Sequence, residues 1–402
     1  MNLALDIFNY IFVAILIGVS ATWIFLIKSM FRTFQETPFL DKFKKKIHEK
    51  PKVSIILPAR NEEKFIGSCL DSLVNQDYID YEIIAINDSS DDSTGTIIKK
   101  YAKKFPKLIH VDAKPKPEGW VGKNWACMEG YKKATGDLLL FTDSDTKHAT
   151  SVISLAVSHL LSLELDALTV IPKMLCLDSI TKITLPIISV FLHTRFSALR
   201  VNDTSKNTGY FFGSFFIIKR STYDSVGTHE GVKEELIEDG ALGKKVKESG
   251  FKMRMVDGRH LVDAVWARDF FTLWNALKRL MIPLYLQNAK TAVGISFAVL
   301  FLLFMPFPLL AYSAIFLNIE TSSSVLFVIA AIASVLVYTG GILDAAKGVG
   351  SGIKYSLFAP IGCFIVVCGF FAGLIQATSK HAVSWRGRTY YMKNQIQKSI
   401  NV

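Results

Sequence analysis

The stretch Val53-Ser-Ile-Ile-Leu-Pro58 is a short apolar run rich in β-branched residues, and the polar run Ala59-Arg-Asn-Glu-Glu63 follows it directly. Such a run predicts a buried strand, and the residues after it predict a helix. The same succession recurs along the next ninety residues. Strand-like segments lie at residues 53–58, 81–86, 108–111 and 138–141, and helix-like segments lie at 66–75, 93–104 and 126–135. Strands that alternate with helices of about ten residues predict an α/β fold with a largely parallel sheet.

Polar clusters follow three of these strands. Besides the run after Pro58, Asn87-Asp-Ser-Ser-Asp-Asp92 follows the second strand, and Thr142-Asp-Ser-Asp145 follows the strand at 138–141. Each cluster alone fits a helix cap or a turn equally well. The carboxyl ends of parallel strands meet at one edge of a sheet, so three clusters in register predict a binding site there. Asp143 and Asp145 in particular can both reach a hard divalent cation.

Composition and charge narrow the class of protein. Of 402 residues, 50% are apolar and 20% are charged, which favours a membrane protein over a soluble one and excludes disordered and collagen-like chains. The net charge of +11 includes seven basic residues between Lys28 and Lys50, directly after an apolar segment. That location is typical of the flank of a membrane span and not of a nucleic-acid surface. The five cysteines form no CxxC pair and are interpreted as structural.

Four stretches without Asp, Glu, His, Lys or Arg are long enough to cross a bilayer, at residues 7–27, 291–319, 321–343 and 355–379. The first lacks a cleavage signal and predicts a retained anchor. A transporter usually needs an ionisable residue inside its spans, so transport is not expected. The resulting domain boundaries are an anchor at 1–28, a basic linker at 29–50, a soluble domain at 51–290, a membrane region at 291–379 and a basic tail at 380–402.

The sequence gives two indications for the orientation of the membrane region. Basic residues after the first span place 51–290 in the cytoplasm, which predicts a multi-pass protein of the cell membrane. Four simple crossings put the tail outside, yet the five basic residues of the tail favour the inside. A hairpin at Pro306 and Pro308 would reconcile the two, and the sequence leaves this alternative open.

The motifs PARNEE, INDSSDDST and FTDSD, in that order and spacing, resemble family 2 glycosyltransferases with the GT-A fold over about residues 51–275. The later acidic motif of that family appears as Glu238-Asp239. The segment Gly119-Trp-Val-Gly-Lys123 is similar to the membrane glycosyltransferases of carotenoid and hopanoid biosynthesis. The tail motif Trp385-Arg-Gly-Arg388 resembles the same subgroup and, more loosely, ceramide glucosyltransferases. The resemblance implies a GT-A sheet flanked by helices, with one N-terminal and about three C-terminal transmembrane helices.

The resemblance also implies a role for each motif residue. Asp239, with Glu238 beside it, would be the general base that deprotonates the acceptor hydroxyl. Asp143 and Asp145 would bind the Mg²⁺ or Mn²⁺ ion that bridges the donor diphosphate. The residues expected to bind the nucleotide sugar are Ala59, Arg60, Glu62, Asp88, Lys123 and Asp143. A UDP donor is expected because the family mostly uses UDP sugars.

Several further residues have weaker signals. Arg268 and Lys123 add positive charge near the phosphates or are simply solvated. Trp274 lies roughly where processive members carry Q-x-x-R-W, a string that this chain lacks, so transfer of a single sugar is expected. Arg386 and Arg388 reach the site only if the tail is cytoplasmic. The remaining candidate, His260, is interpreted as an ordinary hydrogen-bonded histidine more readily than as a metal ligand.

Two apolar segments bear on the acceptor. Residues 183–194 are too short to span and predict an interfacial or a core helix. The segment Phe211–Phe216 predicts a buried strand or, alternatively, an acceptor channel. Anchoring at both ends favours a membrane-lipid hydroxyl as acceptor. The roles that the resemblance implies, one base and a bound metal ion, favour an inverting, metal-dependent glycosyltransferase. The alternatives are a polyprenyl-phosphate sugar synthase, a polysaccharide synthase, and a non-catalytic lipid-binding scaffold.

Overall fold

The computed structural model describes residues 3–42, 50–317, 321–379, 382–385 and 388–391. The chain forms two compact units. The sheet unit comprises the described residues within 36–175 and 196–266, and the helical unit comprises those within 1–35, 176–195 and 267–391. Residues 176–195 thus pack with the apolar helices, although in sequence they interrupt the α/β succession.

Twelve strands lie in the described residues. They are β1 (Val53–Ala59), β2 (Tyr81–Asn87), β3 (Leu108–Asp112), β4 (Leu138–Phe141), β5 (Thr146–His148), β6 (Ala167–Ile171), β7 (Lys173–Cys176), β8 (Phe216–Lys219), β9 (Met253–Asp257), β10 (Val262–Ala267), β11 (Ala382–Trp385) and β12 (Arg388–Tyr391). Fourteen α-helices accompany them in the described residues. They are α1 (Leu3–Glu36), α2 (Ile66–Val74), α3 (Thr94–Lys104), α4 (Gly122–Tyr131), α5 (Val152–Ser162), α6 (Ser179–Arg195), α7 (Ala198–Asn202), α8 (Arg220–Ser225), α9 (Glu238–Glu248), α10 (Phe270–Gln287), α11 (Ala289–Val299), α12 (Pro306–Ile315), α13 (Thr321–Leu343) and α14 (Ala359–Ser379).

The main sheet has seven strands in the order β3-β2-β1-β4-β8-β6-β9. Strand β1 pairs in parallel with β2 and with β4, so that Val53 lies beside both Tyr81 and Leu138. Only β8 runs against its neighbours, pairing antiparallel with β4 and β6. All seven residues of β1 are buried, as expected for a strand covered by helices on both faces. The predicted α/β class with a mostly parallel sheet is confirmed.

Helix α4 begins four residues earlier than the predicted helix at 126–135. The cause is a tertiary contact that sequence periodicity does not show. The buried Asn124 side chain donates from Nδ2 to the carbonyl oxygens of Val232 (2.7 Å) and Glu235 (3.0 Å), which anchors the first turn. The earlier start places Lys123 in that first turn, next to the carboxyl ends of the strands.

Three helices of the helical unit are long and apolar enough to cross a membrane, namely Leu3–Glu36, Thr321–Val349 and Ile353–Thr378. A fourth candidate is the pair Ala289–Phe304 and Pro306–Ile315, which is bent by 54° at residue 305. One N-terminal and two C-terminal candidates therefore agree with the predicted arrangement. The third predicted C-terminal span corresponds to the bent pair.

Polar contacts show that α13 runs in the same direction as α1. Near the start of both helices, the buried Asn9 donates from Nδ2 to the hydroxyl oxygens of Ser322 (3.0 Å) and Ser323 (3.1 Å). Further along both, Gly340 lies against the ring of Trp23, where a Cβ would be 2.1 Å from a ring carbon. Residue numbers that rise together on two packed helices mean that the helices are parallel.

The bent pair runs against α1. The indole nitrogen of Trp23 donates to the carbonyl oxygen of Leu302 at 2.8 Å. Nearer the start of α1, the ring of Phe8 contacts the ring of Tyr312 with 6.1 Å between centroids. As the residue number rises along the bent pair, the number of the contacted residue on α1 falls, so the two run antiparallel.

Helix α14 in turn runs against the bent pair. The ring of Phe297 contacts that of Phe371 at 5.4 Å, and the ring of Phe304 contacts that of Phe364 at 5.3 Å. The residues just before α14 lie beside the end of α13, where the hydroxyl of Tyr338 donates to the carbonyl oxygen of Leu357 at 3.4 Å.

A buried polar cluster connects α6 with the end of the candidate span Thr321–Val349. The fully buried Asp344 lies 2.5 Å from Nδ1 of His193 through one carboxylate oxygen and is hydrogen-bonded to the hydroxyl of Ser189 through the other. Gly348 packs so closely that a Cβ would lie 2.5 Å from an Asp344 oxygen. The 183–194 segment is therefore part of a packed core and carries the partner of an acidic residue within a candidate span.

Candidate active site

The ends of β1 and β2 bring together the residues predicted for the nucleoside pocket. The backbone N–H of Asp88 donates to the carbonyl oxygen of Ala59 at 2.9 Å. The guanidinium of Arg60 donates to the carbonyl oxygen of Asp88 at 2.7 Å and approaches the carboxylate of Asp91 at 3.5 Å. Glu62 is buried, and its backbone N–H is held by the hydroxyl of Thr94 at 2.7 Å. Both the Ala59 backbone and the Asp88 side chain are buried where the two strands end.

A second cluster joins three separate segments around Lys123. Its ammonium lies 2.7 Å from Asp143, which follows β4, and 2.6 Å from Glu238, the first residue of α9. Burial alone disfavours the charge, but the neighbouring carboxylates hold the pKa of Lys123 well above its usual value. Lys123 is therefore a fixed positive charge among acidic residues that come from two other parts of the sequence.

Asp239 lies next to this cluster in the first turn of α9. Its Oδ2 accepts the backbone N–H of Gly213 at 2.8 Å, and its Oδ1 accepts the backbone N–H of Gly240 at 2.7 Å. Burial and the negative charge of Glu238 raise the pKa of Asp239 to about 7, against the opposing effect of Lys123. A carboxylate with such a pKa, oriented by two donors, can accept a proton near neutral pH.

Gly213 is the point of closest approach between the backbone and the charged cluster. A Cβ on this residue would lie 2.8 Å from Oδ2 of Asp239 and 3.1 Å from both Oδ2 of Asp143 and Nζ of Lys123. Only a residue without a side chain leaves these three groups together. No signal in the sequence marks this glycine, because the constraint comes from three segments that are distant in the chain.

The carboxylate oxygens of Asp143 and Asp145 suit a hard divalent cation that takes few ligands from the protein. The described residues contain no group of three or more His, Cys, Asp or Glu that would hold an ion on their own. Asp143 and Asp145 are both partly exposed at the end of β4. Mg²⁺ and Mn²⁺ commonly take one or two carboxylates and complete the shell with water and phosphate oxygens, which fits this pair. His260 is not part of this set, since its Nε2 lies 3.3 Å from the carboxylate of Asp41.

The remaining predicted residues lie elsewhere in the chain. Arg268 and Trp274 belong to the helical unit, where the Trp274 ring packs on Phe270 with 5.8 Å between centroids. Arg388 is partly buried on β12, and Arg386 lies outside the described residues. Their roles stay predictions.

Sequence reasoning missed Tyr210, which lies beside the charged cluster. Its ring stacks on Phe196 at 4.7 Å between centroids and lies against Gly240, where a Cβ would be 3.2 Å from a ring carbon. Burial raises the pKa of its phenol, and the carboxylates of Asp239 and Glu238 add to the effect, so that it stays protonated. The aromatic density around residue 211 was the only available signal.

Residues 54–227 match the family model described as glycosyl transferase family 2. The chain is 34% identical over 140 residues to the probable glycosyltransferase YdaM of Bacillus subtilis, covering 32% of this chain and 33% of that protein. It is 28% identical over 215 residues to the 4,4'-diaponeurosporenoate glycosyltransferase of Staphylococcus aureus, covering 51% of this chain and 54% of that protein. The chain thus matches between a third and about half of the length of these curated relatives.

The fold is similar to that of the mannosyltransferase PcManGT from Pyrobaculum calidifontis, solved in complex with GDP-Man and Mn²⁺. The TM-score is 0.53 at 16% identity, and the match covers 92% of this chain and 99% of that one. This likeness confirms the GT-A fold. The chain thus has the GT-A fold, matches the family 2 glycosyltransferase model over residues 54–227, and is similar to glycosyltransferases of the carotenoid subgroup.

Proposed function

We propose that the protein transfers a single sugar, with inversion, from a nucleotide diphosphate sugar to the hydroxyl of a membrane lipid. The observation that carries this proposal is the placement of Asp239. It is held by the backbone N–H groups of Gly213 and Gly240 beside the ion pair of Lys123 and Asp143. A proton acceptor next to a fixed positive charge suits attack by a hydroxyl on a sugar whose leaving group is a diphosphate.

The reaction balances with the groups present. The acceptor oxygen forms a bond to the anomeric carbon, while the bond from that carbon to the diphosphate oxygen breaks. Asp239 takes the hydroxyl proton, and the diphosphate leaves with the electron pair. The neighbouring carboxylates of Asp143 and Glu238 are paired with Lys123, so we assign Asp239 as the base and no carboxylate as a nucleophile. Displacement in one step then inverts the anomeric centre.

The negative charge that develops on the leaving diphosphate needs a counter-charge. Lys123 supplies one positive charge from the protein, since its pKa is held high. Asp143 and Asp145 would hold a divalent ion, which supplies Lewis-acid stabilisation of the leaving group. The relative PcManGT was solved with GDP-Man and Mn²⁺, which supports a nucleotide-sugar donor and a divalent ion for this chain as well.

A lipid acceptor is supported by the helices that are long and apolar enough to cross a membrane. The named relatives include glycosyltransferases of a carotenoid acid, which is an apolar acceptor. The expected location is the cell membrane, with the sheet unit in the cytoplasm, because basic residues follow the first apolar helix. UDP is the expected nucleotide, and one sugar is expected per acceptor because no Q-x-x-R-W string occurs.

The test is nucleoside diphosphate release by the full-length protein in detergent from a panel of UDP and GDP sugars. Membrane lipid extract is the acceptor source, with Mn²⁺ or Mg²⁺ added. We expect release that requires both lipid and metal and is lost in Asp239→Asn, because the base is then absent. Glu248→Gln, at the exposed far end of the same helix, is the matched control and keeps wild-type activity.

Mass spectrometry of the lipid then identifies the acceptor and the number of sugars added. Activity retained in Asp239→Asn with a phosphorylated polyprenol would replace this proposal with a polyprenyl-phosphate sugar synthase. Products with many sugars would indicate a polysaccharide synthase. A folded wild type that releases nothing from any donor would support the scaffold alternative.

A further inference from the structure

Behind the charged cluster, the buried hydroxyl of Thr142 contacts several polar groups at once. Its Oγ1 lies 2.8 Å from the carbonyl oxygen of Ser214, 3.1 Å from the hydroxyl of Thr146 and 3.2 Å from Nε2 of His148. Thr142, Thr146 and His148 are each at most 4% exposed. Such a set of buried hydrogen bonds has defined donors and acceptors, because unpaired polar groups are costly in the interior.

Counting protons limits the direction of these hydrogen bonds. A carbonyl oxygen only accepts, so the single hydroxyl proton of Thr142 goes to Ser214 at the shortest distance. Oγ1 of Thr142 then accepts from His148 in the tautomer with the imidazole proton on Nε2, while in the other tautomer Nδ1 donates to the hydroxyl oxygen of Ser72 at 3.5 Å. Burial lowers the pKa of His148 to about 4, so the ring is neutral at physiological pH.

The same cluster supports the loop that carries Asp143 and Asp145. The hydroxyl of Thr146 donates to the carbonyl oxygen of Asp143 at 2.7 Å, and the thiol of Cys69 lies 3.7 Å from the same oxygen. The backbone at Asp143 is therefore held from the interior, while its carboxylate binds Lys123 on the other side.

Ser214 connects this cluster to the proposed base. It follows Gly213, whose N–H donates to Oδ2 of Asp239 at 2.8 Å. The hydroxyl of Thr142 thus lies between two segments that are more than seventy residues apart in sequence. One segment presents Asp143 and Asp145, and the other orients Asp239.

We propose that Thr142 and His148 are positioning residues that fix the distance between the Asp143–Asp145 loop and the Gly213–Asp239 contact. The inference rests on the proposed transferase function, because it assigns these residues to the geometry of that reaction. Errors of about 1 Å in the placement of reacting groups reduce turnover by about a hundredfold. A hydrogen-bonded pair between the two segments would prevent such errors.

A purely stabilising network elsewhere in the sheet unit supplies the matched control. Near the start of β1, the buried Ser54 donates to Glu82 at 2.6 Å and accepts the N–H of Gly136 at 2.7 Å. This network lies at the opposite end of the strand from Ala59. Ser54→Ala should therefore lower the melting temperature without changing kcat or the donor KM by more than about twofold.

The experiment compares Thr142→Val, Thr142→Ser and Ser54→Ala in the full-length protein, with melting temperature, kcat and donor KM as readouts. Valine keeps the branched shape but removes the hydroxyl, and serine restores it. We expect Thr142→Val to lower kcat by about tenfold or more. A loss of melting temperature alone does not explain such a decrease, because Ser54→Ala should lose melting temperature and keep its kcat. Thr142→Ser should return kcat to within about twofold of the wild type.

A folded Thr142→Val with kcat within about twofold of the wild type overturns the positioning role, while the proposed function stands. If this variant does not accumulate in folded form, His148→Leu removes the imidazole that contacts Thr142 and is judged by the same criterion. A wild type inactive with every donor rejects the transferase function and the positioning role together.

Discussion

At the scale of single residues, a side chain added at Gly213 should disturb the candidate site without preventing the chain from folding. The three atoms nearest to a methyl group there are the ends of side chains, so we expect that the chain can still fold. Gly213→Ala should lower kcat by about ten- to a hundredfold, because Asp239 and Asp143 must shift. Its melting temperature should stay within about 3 °C of the wild type, since a change of that size corresponds to less than about 1 kcal/mol.

The measurement is the steady-state rate of nucleoside diphosphate release, with thermal melting of the same samples. Gly67→Ala is the control, because a Cβ at Gly67 in α2 meets nothing closer than 3.9 Å. It should leave the rate unchanged and slightly stabilise the helix. Equal rates in Gly213→Ala and Gly67→Ala would show that the contact of Gly213 with Asp239 is unimportant.

At the scale of elements, Glu82 holds the beginnings of β1 and β2 to the loop before β4. Burial alone would raise its pKa, but hydrogen bonds from Ser54 and Thr135 and the ammonium of Lys52 lower it from 4.5 to about 2. A folded-state pKa below the unfolded value stabilises the fold above about pH 4.5, and this stabilisation is lost as the pH falls toward 2. Its size at neutral pH is about 3 kcal/mol.

Glu82→Gln should therefore melt well below the wild type at pH 7, and the difference should shrink steadily between about pH 5 and pH 3. The measurement is the melting temperature of the sheet unit within the full-length protein as a function of pH. Glu248→Gln, an exposed site, is the control and should follow the wild type throughout. A difference that does not depend on pH would mean that glutamine disturbs packing and not charge.

The elements that the sequence predicts well are those with local signals. The strands at Val53 and Tyr81 are apolar runs that end in polar clusters, and the structure has them within a residue or two. Pairing of distant segments has no local signal. The sequence therefore did not predict where β8 begins. Of the aromatic stretch Phe211–Phe216, only Phe216 lies in this strand, opposite Phe141. The start of α4 depends likewise on the contacts of Asn124.

The same limit applies to the candidate site. The acidic motifs indicate which carboxylates matter, because strand ends and residue type are visible in sequence. The groups that orient them are not visible in the sequence: the N–H of Gly213 becomes a neighbour of Asp239, and the hydroxyl of Thr142 a neighbour of Ser214, only after folding. Resemblance to a family transfers motif residues, whereas these supporting residues follow from geometry alone.

At the scale of the whole molecule, the basic residues bear on the side of the membrane that the tail occupies. Seven of them lie between Lys28 and Lys50, after the first apolar helix, and five lie after Ser379. Basic residues that flank apolar helices favour the cytoplasmic side. We therefore predict that the residues after Ser379 lie in the cytoplasm.

Reporter fusions after Ser379 and after Leu317 would test this in cells, with a reporter that is active only in the cytoplasm. Activity after Ser379 and inactivity after Leu317, at the end of the bent pair, is the expected result. The second fusion serves as the control for export. Inactivity after Ser379 would instead support four simple crossings.

The buried pair of Asp344 and His193 has a consequence for the way the chain enters the membrane during synthesis. An acidic residue within an apolar helix disfavours insertion by about 3 kcal/mol at the centre of a span, and less toward its ends. His193 and Ser189 precede Asp344 by about 150 residues, so their helix has left the ribosome long before the acidic residue does. The helix that carries His193 and Ser189 is thus synthesised first, and the span with Asp344 can insert beside these polar partners instead of into lipid alone.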